Sequence, residues 1–259
     1  MRIILFYILM VFLSCESNTT NGIDFVDSGQ ETYELNDKST FNIRSAEFSN
    51  FNNESFFSFL NINDNTLVKY VGEEKKASVL NLDSEGEDGV GSLDFFSTHK
   101  FISKDSILIL QSQIGKMFLL NSKGKKLKTY ELYNVSEKGS FVTFPSNGVL
   151  NPILYDDNQN IFTRCSMVKY FKDYQNIKLV KKINLQNNYS EDILSLPKIY
   201  NDGFWGALFK YEPSICFYDK EHLLVSFPIV NDIYKVNLKG ESIEKISIKS
   251  KFLSKKMNL

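Results

Sequence analysis

Residues 101–132 read FISKDSILILQSQIGKMFLLNSKGKKLKTYEL, and residues 215–248 read ICFYDKEHLLVSFPIVNDIYKVNLKGESIEKISI. The two stretches share one frame. Each opens on a short apolar strand (Phe101-Ile102; Ile215 to Phe217) and turns at three residues (Ser103-Lys104-Asp105; Tyr218-Asp219-Lys220). A second strand follows (Ser106 to Leu110; Leu223 to Phe227), then a third (Lys116 to Asn121; Asp232 to Asn237). The next turn is written Asn-x-Lys-Gly both times, and a fourth strand closes the unit (Lys126 to Leu132; Ser242 to Ile248). Gly124 and Gly240 suit that turn, because a tight hairpin needs a positive φ that only glycine adopts without a Cβ clash. Each unit is therefore a four-stranded antiparallel meander.

Two fainter copies fit the same frame. One runs Phe56 to Leu60, Thr66 to Val71 and Ala77 to Leu82; the other runs Ile153 to Tyr155, Ile161 to Cys165, Val168 to Phe171 and Ile177 to Leu185. Second strands start near 56, 107, 161 and 223, a period of about 50 to 60 residues, which is the signature of propeller blades. Ile107-Leu108-Ile109-Leu110 has no polar alternate and fits a strand covered on both faces, whereas Tyr234, Val236 and Leu238 alternate like a strand nearer the rim. The expected class is all-β: a β-propeller-like array of four-stranded antiparallel blades, about four of them. A β-sandwich is the competing reading, and the recurrence of Asn-x-Lys-Gly at one strand position favours the propeller.

Composition agrees. Of 259 residues 42% are hydrophobic and 24% charged, which excludes a disordered or collagenous chain. The 22 Phe and 13 Tyr favour strands. A net charge of −1, with Arg2, Arg44 and Arg164 the only arginines, argues against a nucleic-acid partner.

The N-terminus carries an address. Met1-Arg2 precede an apolar run from Ile3 to Leu13, then Ser14-Cys15. The run is about half the roughly 20 residues a membrane span needs, so it reads as a signal segment. Phe12-Leu13-Ser14-Cys15 resembles the lipobox of bacterial lipoproteins, with Phe12 where Leu is usual. That resemblance implies a signal peptide over 1–14, acylation of Cys15, a flexible tether over 15–30 and a folded domain over 31–259. Retention at the inner membrane is tied to Asp after the acylated Cys; Glu16 points instead to the outer membrane, with the lipid as membrane anchor. Cys165 and Cys216 are the other cysteines. In an oxidising compartment they can pair; two buried thiols on strands is the favoured reading, and neither lies in a CxxC.

The segments Tyr33-Glu34-Leu35, Asn81 to Gly91 and Leu119 to Gly124 resemble an uncharacterised family of Gram-negative lipoproteins, a domain of unknown function related to six-bladed β-propellers. The Glu-Gly-x-x-Gly-Val-Gly segment at Glu85–Gly91 and the Asn121-Ser122-Lys123-Gly124 turn carry most of that likeness. It implies a fold and no assigned activity. Six blades need roughly 300 residues or more by the same period, so an incomplete propeller, ending in the Lys-rich 249–259, is the expectation.

Function is then sought in the long interblade loops, about 83–98, 133–150 and 186–213, on the face shared with the second-to-third-strand turns. Asp83, Glu85, Glu87 and Asp88, set among Gly86, Gly89 and Gly91, would repel a phosphate; calcium is chemically allowed there, and a solvated crossover is the alternative. Phe204-Trp205 between Gly203 and Gly206 can stack a sugar or peptide, or plug the loop onto a blade. His99, beside Lys100 at a strand start, is expected exposed; His222 follows Asp219 and Glu221 in a turn. No catalytic constellation stands out. The expectation is a non-catalytic binding or scaffold module for a peptide, glycan or protein partner. The alternatives are a propeller hydrolase or lyase with a metal in its channel, or a truncated inactive paralogue.

Overall fold

The computed structural model describes residues 32, 33, 35, 45–72, 76–132, 143–148, 151–167, 177–203, 205–239 and 243–248. The chain divides into two units, Met1–Glu34 and Leu35–Leu259. In the first, only Thr32 (exposed) and Tyr33 (half-buried) are described, so Cys15 and its tether lie outside the described residues.

The second unit is a four-bladed β-propeller array. Blade 1 comprises β1 (Ala46–Phe51), β2 (Glu54–Asn61), β3 (Thr66–Val71) and β4 (Lys76–Asn81); blade 2 comprises β5 (Ser97–Ser103), β6 (Ser106–Gln111), β7 (Lys116–Asn121) and β8 (Lys126–Glu131). Blade 3 comprises β9 (Thr143–Pro145), β10 (Leu154–Tyr155), β11 (Asn160–Met167), β12 (Lys178–Asn184) and β13 (Tyr189–Ser195); blade 4 comprises β14 (Ser214–Phe217), β15 (His222–Ser226), β16 (Asp232–Asn237) and β17 (Ile243–Ser247). Within each sheet the strands pair antiparallel in chain order, with β9 added on β11.

Two blades differ from the sequence reading. Blade 1 has an inner strand, β1, whose Glu47 and Ser49 hid it among polar residues. In blade 3 the third strand is β12, not Val168–Phe171 (which lies outside the described residues), and Tyr189–Ser195 is the fourth. An outer strand is covered on one side only, so Tyr189-Ser190-Glu191-Asp192 carries a loop-like composition. The inner strand of blade 3 is also split. β9 pairs with Cys165–Met167 and β10 with Ile161–Phe162, while the described residues between them, 146–148 and 151–153, belong to neither strand. Thr163 Oγ1 donates to Asn147 Oδ1, and Arg164 Nε donates to the Ser146 carbonyl, tying Ser146 and Asn147 to β11.

The core consists of seams between successive blades. Phe56, Leu60 and Leu67 pack with Phe101, Ile107 and Ile109. Leu108, Leu110, Met117 and Tyr130 pack with Ile153, Ile161 and Ile183. Phe162, Val180 and Ile193 pack with Leu223, Val225 and Val236. Period-two alternation sends Ile107 and Ile109 to one seam and Leu108 and Leu110 to the next, which accounts for the unbroken apolar run. At the inner edge, Ser45 Oγ accepts the His99 N–H (3.0 Å) and Glu47 Oε2 accepts the Phe101 N–H (3.0 Å), so side chains of blade 1 satisfy the open strand edge of blade 2. Cys165 and Cys216 are both free. Cys165 is buried as expected, and burial pushes its thiol up to about 12; Cys216 is exposed, correcting the reading of two buried thiols, because its side of β14 faces away from the seam.

The recurrent Asn is a turn builder. Asn121 Oδ1 accepts the N–H groups of Lys123 (2.9 Å) and Lys125 (3.0 Å), and Asn237 Oδ1 accepts that of Lys239 (2.9 Å). Asn184 does the same for Gln186 and Asn187, both at 3.1 Å, giving blade 3 the turn without its Lys-Gly. Asn121→Ala and Asn237→Ala are each expected to lower stability by about 1 kcal/mol, adding in the double variant because the turns are in different blades; urea midpoints measure this.

Candidate functional site

The first interblade loop is pinned from beneath. Asn65, in the β2–β3 turn, accepts the Leu93 N–H through Oδ1 (2.6 Å) and donates through Nδ2 to the Leu82 carbonyl (2.5 Å), which puts loop and turn on one face. Gln111 Nε2 donates to the Val90 carbonyl (2.9 Å), and a Cβ on Gly89 would lie 2.7 Å from the Glu85 carbonyl carbon, so only glycine fits. Asp88 Oδ1 accepts the Lys126 N–H of β8 (3.0 Å), whereas Asp83, Glu85 and Glu87 are exposed. Among the described residues no group of three or more His, Cys, Asp or Glu is arranged to hold a metal.

The third loop begins at Leu196, later than the sequence reading placed it, and folds into two 3-10 turns, Lys198–Asp202 and Leu208–Tyr211. Tyr200 and Tyr211 are fully buried with rings 5.0 Å apart, and the Tyr200 hydroxyl donates to the Lys210 carbonyl (2.7 Å). Trp205 is half-buried against the seam between blades 3 and 4; its indole N–H donates to the Ile199 carbonyl (3.2 Å). Phe204 lies outside the described residues. The indole is thus held by the loop's own backbone.

His99 is buried, not exposed: it is 4% accessible, with Nδ1 2.7 Å from Ser45 Oγ and Nε2 2.8 Å from Ser58 Oγ. Burial, then Lys100, lowers its pKa to about 3, so the imidazole is neutral and both ring nitrogens are satisfied by hydroxyls. His222 Nδ1 lies 2.8 Å from Asp219 Oδ1 at the surface.

The turns that join first and second strands form a concavity that sequence reasoning missed. A cleft of about 540 Å³ opens between blades 3 and 4, lined by Tyr155, Asp156, Asp157 and Asn158 on one side and Phe217, Asp219, Lys220 and Glu221 on the other. Its builders are two matching turns, with Tyr155 and Phe217 at equivalent strand ends, and each turn carries a Tyr-Asp dipeptide, set one residue later in blade 4; that near-repetition was the available signal. Asp156 Oδ1 accepts the N–H groups of Asn158 (2.9 Å) and Asn160 (2.8 Å); Asp219 Oδ1 accepts that of Glu221 (2.7 Å). Each Asp therefore shapes its own turn. The Glu221 N–H, then His222, holds the Asp219 carboxyl below the usual range, and burial, then Asp156 and Asp157, pushes the Tyr155 phenol up. Lys220 Nζ bridges to Asp157 Oδ2 (2.9 Å) across the mouth. Four carboxylates against one ammonium, beside two aromatic rings, make a setting that favours a cation.

No family model and no curated protein matches the chain. Solved structures resemble it in fold. A member of the DUF4221 family from Bacteroides vulgatus has a TM-score of 0.68 and 20% identity, over 85% of this chain and 62% of that one. Streptogramin B lyase has a TM-score of 0.50 and 14% identity, over 85% of this chain and 59% of that one. A candidate exported protein from Bacteroides fragilis has a TM-score of 0.50 and 13% identity, over 84% of this chain and 54% of that one. The chain thus spans 54 to 62% of the length of these structures, and the likeness is one of propeller fold.

The neutral His99 has a measurable consequence. Its folded-state pKa is depressed from 6.5, so its contribution is fully present above about pH 6.5 and is lost as pH falls toward 3. The loss is expected to reach at most about 1.4 kcal/mol per pH unit. Urea midpoints between pH 7 and 4 should fall more steeply for the natural chain than for His99→Asn.

Proposed function

We propose that the chain is a lipid-anchored protein of the bacterial cell envelope whose propeller binds a partner without catalysis. Its recognition site is the cleft between the two Tyr-Asp turns. The observation that carries this reading is the cleft's combination of Tyr155 and Phe217 with four carboxylates, which suits the Lys or Arg side chain of a peptide or protein partner. The signal-like run ending at Phe12-Leu13-Ser14-Cys15 supports acylation at Cys15, and Glu16 supports the outer membrane as destination.

Two measurements test the reading. Palmitate labelling in cells is expected for the natural chain and absent in Cys15→Ser. Calorimetry should detect weak, salt-sensitive binding of a Lys-rich peptide and none of a Glu-rich one, with Asp157→Asn plus Glu221→Gln weakening it about tenfold. Both positions are exposed, so their replacement leaves stability nearly unchanged.

A further inference from the structure

A second concavity lies along the seam of blades 3 and 4, between β13 and the β16–β17 hairpin, with a volume of about 460 Å³. Its walls are apolar: Ile193, Leu194 and Leu196 from blade 3, with Phe227, Tyr234 and Ile243 from blade 4. Ile193 and Phe227 are buried, whereas Ile243 at the mouth is 55% exposed. The volume falls in the range of small-molecule sites, about 300–1,000 Å³.

The polar groups around this groove do not balance. Glu191 and Asp192 reach it, but Glu191 pairs with Lys182 (3.1 Å) and Asp192 with the buried Lys181 (2.6 Å). Lys178, Lys198 and Lys239 also line it; all three are exposed and none forms an ion pair with a described residue. An apolar trough therefore carries three ammonium groups at its rim that no carboxylate of the described residues pairs with. The backbone is shaped to the same end. Val180 pairs with Ile193 and Lys178 with Ser195, and between them Leu194 sits at φ +64°, a left-handed conformation that bulky residues rarely adopt. This kink places Leu194 on the groove wall.

We propose that this groove binds an acyl carboxylate, its hydrocarbon chain along Ile193, Leu194, Leu196 and Phe227 and its head group among Lys178, Lys198 and Lys239. A bare anion would leave the apolar walls wet, a neutral lipid would gain nothing from the ammonium groups, and a cationic amphiphile would be repelled. The proposal is independent of the acidic cleft, which lies at other turns.

Titration of the purified protein with dodecanoate, below its micelle-forming concentration and in parallel with dodecanol and dodecyltrimethylammonium, tests it. Saturable one-site binding of dodecanoate is expected, about tenfold tighter than dodecanol and weakening with salt, with no binding of the cation. Lys198→Ala combined with Lys239→Ala should reduce dodecanoate affinity about tenfold and leave dodecanol unchanged, since exposed positions of this kind leave the fold intact. Ile243→Glu, which adds a carboxylate at the mouth, should weaken dodecanoate as well. Equal affinities for dodecanoate and dodecanol, no saturable binding, unaltered binding by the variants, or tighter binding of a peptide with an apolar C-terminus would each overturn the proposal.

Discussion

A propeller blade cannot hold itself together, because both faces of its sheet are apolar and its inner edge is open. In β6, Ile107, Leu108, Ile109 and Leu110 are all at most 2% exposed, yet alternate residues belong to different seams. Burying such a side chain stabilises by about 1.5–3 kcal/mol, so each seam is worth far more than any surface contact of the molecule. The seam also dictates its polar details. The inner edge of β5 would present unpaired N–H groups, and Ser45 and Glu47 satisfy two of them from the neighbouring blade. His99 sits within the same seam and is neutral because an imidazolium there would be desolvated.

That constraint distributes the surface features. An interblade loop must travel from the rim of one blade to the centre of the next across the end of an apolar seam. The loop after β4 is accordingly pinned by Asn65, Gln111 and Asp88, and the loop after β13 is filled by Tyr200, Tyr211 and Trp205. These two long loops act as lids on seams. The short turns carry no such duty, and between blades 3 and 4 two of them stand apart as walls of a cleft. Both concavities lie along that seam but differ in charge: carboxylates dominate the Tyr-Asp cleft, and three exposed lysines rim the apolar groove. A net charge of −1 conceals this separation.

Much of the architecture was legible in the residues. The double-sided apolar run at Ile107–Leu110, the Asn-x-Lys-Gly turns and the spacing of second strands were enough for four blades, because hairpin chemistry and strand periodicity act over a few residues. Strands that depend on neighbours were not legible. β1 mixes Glu47 and Ser49 with Phe48, and Glu47 is there to serve the next blade, while β13 looks like a loop because half of it faces water. His99 looked exposed beside Lys100, since nothing local reveals that Ser45 and Ser58 converge on it.

The four repeats, the turn chemistry, the acidic glycine-rich crossover and the lipobox-like Cys15 are all written within short windows of chain. Which residues share a cavity is written nowhere in it. Tyr155 and Phe217, or Leu194 and Lys239, meet because seam packing sets one blade against the next. That packing is a sum over distant apolar contacts, to which no single stretch of chain holds the key.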